Sequence, residues 1–190
     1  MRALLASGAL MSKELVRQTR EFSDQGHEEQ FQYLIFRLKD ESFGISILKV
    51  KEIIQYNVAT SVPMMPAFVH GVINLRGRVV PVIDLSLRFS QLPTEVGRRT
   101  CVIIVELQQE DHVQDIGIIV DGVNQVIELP PDAIGPAPAF GAKLPAEFIA
   151  GMGLLEGQFV MLLNLDRTLS LAEMGQKARE NIPVLAYASH

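Results

Sequence analysis

The chain has 190 residues, 48% hydrophobic and 21% charged, with a mean hydropathy of +0.21. That balance provides for a sizeable core and excludes an intrinsically disordered chain. Seventeen Lys+Arg against 22 Asp+Glu leave a net charge of −5, and with no basic cluster this excludes nonspecific grip on a phosphate backbone.

Residues 1–30 read as a leader. Leu4, Leu5, Met11, Leu15 and Val16 recur at loose helical spacing, and Ser12 is placed to cap a helix running to about Phe22. The opening apolar run superficially resembles a secretion signal, but Ser7 and Gly8 break it and no clean cleavage site follows. No stretch approaches the ~18 apolar residues that a membrane helix requires. The single cysteine, Cys101, cannot form an internal disulfide and suits a reducing compartment. The expectation is a soluble cytoplasmic protein that does not insert into the membrane.

Beyond the polar linker Ser23–Glu29 the texture changes to short apolar runs punctuated by Gly, Pro and Asp. Strands are predicted at 32–38, 42–47, 51–56, 71–75, 79–84, 100–107, 115–120, 123–129 and 158–164. Pro81 inside such a run points to an edge strand or a bulge. Brief helical turns are predicted around 67–70 and 146–150, and a helical tail from about Asp166. Many short strands at this spacing predict an all-β barrel or pair of barrels.

The chain also repeats itself. At a constant offset of 80 residues, Phe68, Gly71, Leu75, Gly77, Val80 and Leu85 meet Phe148, Gly151, Leu155, Gly157, Val160 and Leu165. A weaker match sets Gly44–Val50 against Gly117–Val123, at an offset of 73. Two related β-units follow, about 31–89 and 98–169, and the seam between them is an expected binding site.

The two copies separate structural residues from candidate functional ones. Gly77 and Gly157 occupy the same strand-to-strand tip, where positive φ is expected. Arg76 faces Glu156, so the turn itself does not demand arginine. A solvated tip charge would explain Arg76, but loop tips on rigid β scaffolds also display recognition residues. Asp84 recurs as Asn164, which favours a capping role over catalysis by Asp84. Lys49, Lys51 and Glu52 match the uncharged Gly122, Asn124 and Gln125, so charge concentrates in the first unit.

No chemistry-bearing constellation emerges. The four histidines lack ligand spacing, and no nucleophile elbow, phosphate loop or dinucleotide fingerprint is present. Cys101 reads as a small buried strand residue. The absence of Trp and 6% aromatic content leave few stacking platforms for single-stranded nucleic acid. No enzyme, metal or cofactor is expected.

The strings 66–85, with its Gly71-x-x-Asn74-Leu75-Arg76-Gly77-x-x-x-Pro81-x-x-Asp84-Leu85 pattern, 44–53, 117–123 and 134–138 together resemble the CheW-type chemotaxis coupling family. The resemblance runs from about Phe31 to Met174 and leaves residues 1–30 and a tail at 175–190 outside it. It implies two five-stranded SH3-like barrels packed around a shared core. It also implies a non-catalytic adaptor that joins the cytoplasmic tips of chemoreceptors to the regulatory domain of a histidine autokinase, in arrays at the inner face of the membrane. Adaptor and kinase domain would alternate in rings through equivalent barrel surfaces, with receptor helices in the groove between barrels. Val50, Glu52, Ile53, Asn74, Leu75 and Arg76 would make partner contacts, and Cys101 and Val102 fall where that groove is lined. A regulatory module of a chemotaxis kinase is the nearest alternative reading, and a β-barrel nucleic-acid binder a more distant one.

Overall fold

The computed structural model describes residues 31–57, 59–89, 92–109, 112–137 and 144–170. The expected helices of the leader and of the tail beyond residue 170, the expected connecting loop through 138–141 and the C-terminal 175–190 lie outside these residues.

Ten strands occur in chain order: β1 Gln32–Leu38, β2 Glu41–Ser46, β3 Val50–Gln55, β4 Val69–Leu75, β5 Arg78–Asp84, β6 Cys101–Gln109, β7 His112–Val120, β8 Gly122–Glu128, β9 Ile149–Leu155 and β10 Gln158–Leu163. Two four-residue helices, α1 Leu85–Arg88 and α2 Leu165–Thr168, follow β5 and β10. β9 was not among the sequence-predicted strands. The sequence-predicted turn at 146–150 occupies only Ala146–Phe148, as a 3-10 turn, and the chain then extends. The glycines Gly151 and Gly153 hide β9's strand character from propensity, although its repeat partner is the strand β4.

The strands form two five-stranded sheets, ordered β8-β1-β2-β10-β9 and β3-β6-β7-β5-β4, the two SH3-like halves that the family resemblance implies. Below, the first is called sheet A and the second sheet B. Neither sheet coincides with one sequence unit. Sheet A joins β1 and β2 of the first unit to β8, β9 and β10 of the second, and sheet B makes the reciprocal exchange. Replacing each strand by its counterpart five places along the chain converts one order into the other. Cross-unit joins include two parallel pairings, β2 with β10 and β5 with β7.

This interlacing decides where the apolar residues go. A small cluster of Leu75, Val80, Val82, Val102, Ile104 and Ile119 fills sheet B, and Ile35, Leu129, Val160 and Leu162 fill sheet A. By far the largest cluster lies between the sheets and includes Phe36, Phe43, Ile45, Ile103, Val105, Ile116 and Ile118. Strands such as β1 and β6 are therefore buried on both faces and read as near-continuous apolar runs. Phe36 stacks on Phe43, Phe43 meets Phe89, and Phe89 meets Phe148, with ring centroids 5.7–6.3 Å apart. The seam between the units is thus largely occupied by the shared core that the resemblance implies, since each half alone is too small to bury enough surface.

Arg88 lies where the two units meet. It is buried, with its guanidinium carbon 5.2 Å from the Phe68 ring centroid and 4.8 Å from that of Phe148. Its Nε donates to the Thr168 carbonyl at 3.1 Å. Phe68 and Phe148 are repeat counterparts, as are positions 88 and 168. One unit thus supplies the cation that both aromatic counterparts share.

Pro81 does not mark an edge, because β5 runs between β7 and β4. It is accommodated just before the parallel ladder to β7 starts at Val82, beside the bulge in β4 between Val69 and Gly71. At that bulge Gly71 has φ 150°, and a Cβ there would collide with the Thr60 carbonyl oxygen. The close approach lets Thr60 and Val72 exchange two backbone hydrogen bonds of 2.8 Å. Gly135 and Met152 repeat that exchange in the other unit.

Candidate functional site

The Asn74–Gly77 segment turns β4 into β5. Leu75 pairs with Arg78, and the two residues between them, Arg76 and Gly77, have φ of 50° and 85°. That is the double positive-φ turn matching the twist of a hairpin, with glycine where it costs least. The Gly77 N–H donates to Asn74 Oδ1 at 2.8 Å, which braces the turn from the strand side. Leu75 is buried in the interior of sheet B, so its side chain anchors the tip. The counterpart turn carries φ of 49° at Glu156 and 80° at Gly157, with Leu154 in place of Asn74.

Arg76 extends from this tip to β3, where its Nη2 donates to Glu52 Oε2 at 2.9 Å. β3 and β4 are the two edges of sheet B, so the pair bridges its open side. Tyr56 and His70 span the same edges through a 2.7 Å hydrogen bond between the phenol oxygen and Nε2. An ion pair with one largely exposed partner contributes at most ~1 kcal/mol to stability. The cost of holding Arg76 on display is correspondingly small.

Beside this pair is a second charged cluster. Lys51 Nζ lies 2.6 Å from Glu106 Oε2 and donates to Asp115 Oδ1 at 2.8 Å. Arg78 Nη1 stands 2.7 Å from Asp115 Oδ2, an ionic contact rather than an aligned hydrogen bond. The hydrogen bonds from Lys51 to Asp115 and Glu106 raise its pKa and hold the ammonium charged, against a smaller opposing effect of burial. Asp115 thus ties Lys51 on β3 to Arg78 on β5 across β6 and β7.

The sequence-predicted contact residues divide into two groups. Glu52, Asn74 and Arg76 come together at the tip, with Leu75 beneath them. Val50 is half-buried against the shared core, and Ile53 is buried within it. Cys101 and Val102 do not line an open groove. Cys101 is buried in the shared core, its Sγ donating to the Arg99 carbonyl at 3.0 Å, and Val102 is in the interior of sheet B. Both are on β6 opposite β3, where Gln55 pairs with Cys101 and Ile54 with Val102, so they support the strand that carries Glu52. Burial pushes the Cys101 thiol up, offset in part by a backbone hydrogen bond at Val123.

Asp84 caps α1, accepting from the Leu87 N–H at 3.2 Å and also from Thr94 N–H and Oγ1 at 2.9 and 3.0 Å. Asn164 caps α2 in the same way, through the Arg167 N–H at 3.2 Å. No grouping of three or more His, Cys, Asp or Glu that could hold a metal occurs among the described residues.

Sequence reasoning did not single out Arg78, Glu106 or Asp115. Nor did it single out Leu154 and Phe159, which pair across the β9–β10 hairpin and are both exposed. The repeat held the signal for most of these. Arg78 and Val79 face Gln158 and Phe159 at the same offset of 80 that singled out Arg76.

The architecture and tip define a class: a two-barrel β scaffold whose candidate site is a recognition surface. Residues 32–173 match the family model described as the CheW-like domain, and the chain belongs to that family of chemotaxis coupling adaptors. It is 40% identical over 143 residues to a chemotaxis protein CheW of Klebsiella aerogenes, covering 75% of this chain and 84% of that protein. It is 29% identical over 162 residues to protein FrzA of Myxococcus xanthus, covering 84% and 98%. The crystal structure of the scaffolding protein TtCheW from Thermoanaerobacter tengcongensis superposes with a TM-score of 0.66 at 31% identity, over 73% of this chain and 87% of that one. No helix among the described residues is long and apolar enough to cross a membrane.

Proposed function

We propose that this adaptor joins the cytoplasmic tips of chemoreceptors to the regulatory domain of a histidine autokinase, without catalysis of its own, in arrays at the inner face of the membrane. The observation that carries this reading is Arg76, exposed on the braced tip of sheet B over its partner Glu52 and without counterpart on the tip of sheet A. A rigid turn holding a charged fork fixes the orientation of a partner at little entropic cost, while neighbouring apolar surface supplies area. Binding receptor and kinase together lets a small receptor rearrangement bias kinase activity, because the coupling free energy is shared through the adaptor. The family resemblance and the naming of relatives as chemotaxis proteins support these partners.

The test is Arg76→Glu. The change sets two carboxylates face to face on an exposed turn, so folding survives, as circular dichroism and thermal unfolding would report. Ternary assembly with receptor and kinase, and kinase activation in a reconstituted array, should be lost. Unchanged activation would remove Arg76 from the contact.

A further inference from the structure

The charges of sheet B are layered. The side chains of Arg76 and Arg78 are 74% and 59% exposed, while their partners Glu52 and Asp115 are only 16% and 8% exposed. In these two pairs the cation is outermost and the anion beneath it. The two arginines flank Gly77, so one turn presents both. Each guanidinium has five N–H donors in a planar fork, and a single nitrogen of each contacts its internal carboxylate. Donors are left over in a geometry that matches carboxylates two at a time. The anions beneath also mean that closing a partner over the tip would strand no unpaired positive charge.

We propose that Arg78, positioned by Asp115, is a second recognition arginine beside Arg76, and that the two read a pair of carboxylates on the kinase regulatory domain. This rests on the adaptor reading above and adds to it the chemistry of the partner surface. The kinase domain is favoured over a receptor helix because the turn projects as a convex tip, whereas a helix needs a groove. The counterpart tip of sheet A has Glu156 and Gln158 at these positions, so the carboxylate-reading character belongs to one barrel only.

The experiment titrates the full chain against the regulatory domain of its cognate kinase at 50–500 mM NaCl, by calorimetry. Arg78→Gln should weaken binding ~5–20-fold at low salt and flatten the salt dependence, with the thermal midpoint of the free chain unchanged. Arg78→Lys should restore the salt dependence but not the full affinity, because it keeps the charge and loses the fork. Wild-type affinity and salt dependence in Arg78→Gln would overturn the proposal. So would equal losses in both variants at every salt concentration, since that pattern marks a packing role. A loss against receptor tips with binding to the kinase domain intact would overturn the choice of partner. Failure of the unmodified chain to bind the kinase domain would instead overturn the adaptor reading itself, and this proposal with it.

Discussion

The two barrels share a strand plan and differ at the same end. In sheet B the rim positions are Lys51, Arg78, Glu106 and Asp115, all charged and mutually paired. In sheet A, with Ile35 opposite Gly44 as Ile104 is opposite Gly117, the corresponding positions are Asn124, Gln158, Arg37 and Ser42. The tips diverge in parallel: Asn74, Arg76 and Val79 on one, Leu154, Glu156 and Phe159 on the other. The residues that make the turns and close the cores are duplicated, and those that face solvent are not. A scaffold duplicated in this way can present two surfaces of different chemistry from one backbone design, one a charged fork and one an exposed Leu–Phe pair.

The comparison can be broken at its base by separating the units. Because each sheet takes two strands from one unit and three from the other, fragments covering 31–89 and 98–170 should each fail to fold alone. Mixed, they should regain β-sheet circular dichroism and a cooperative transition. Independent folding of either fragment would show that interlacing is not obligatory.

The next largest effect tests the asymmetry at Arg88. Arg88→Ala removes the hydrogen bond to Thr168 and the stacking on Phe68 and Phe148, and should cost about 3 kcal/mol in urea unfolding. Thr168→Ala leaves that backbone carbonyl in place and loses the hydroxyl's bond to the Asn164 carbonyl and a buried methyl, so about 1–2 kcal/mol is expected. Equal costs would mean that the contact is not centred on the guanidinium.

Gly71 and Gly151 sharpen the repeat itself. An alanine at 71 meets the Thr60 backbone carbonyl at a positive φ, whereas one at 151 meets the Ile134 Cγ2 methyl and, at 3.1 Å, the Gly135 carbonyl without the positive φ. Gly71→Ala should therefore cost about 2–3 kcal/mol and Gly151→Ala about half that, by the same unfolding measurement.

The smallest effect concerns Cys101, whose counterpart at the start of β1 is the half-buried Gln32. Burial raises the thiol's pKa above its ordinary value, so the native state holds its proton at pH values where the unfolded chain releases it. The thiol's contribution is fully present below about pH 9 and is lost as pH rises past that point. Wild type minus Cys101→Ala stability, from urea unfolding at pH 7–10.5, should be flat up to about pH 8.5 and decline above it. A flat difference throughout would mean that the thiol is not desolvated.

Much of this was legible in the residues. Alternating short apolar runs give the strands, and the repeat identifies the tip glycines, because duplicated residues serve what is common to both copies. The divergence of Arg76 from Glu156 singled out the β4–β5 tip as a candidate site. Cys101 is buried on β6, as its place in an apolar run suggests. The groove position that the resemblance implied for it and for Val102 could not be checked from a strand buried on both faces, which carries no alternation to show which way a side chain points. Asp115 was missed because its partners Lys51 and Arg78 are 64 and 37 residues away along the chain.

The sequence by itself determined the β character, the duplicated unit, the family, and which hairpin carries charge, since these depend on local pattern and on comparing one copy with the other. Tertiary structure alone decided that the units exchange strands, which residues of each unit fill the core between the sheets, and that Asp115 holds Arg78 beside Arg76. Those outcomes depend on which distant strands pair, and pairing is selected by the combined burial of both units, which no local run of residues encodes.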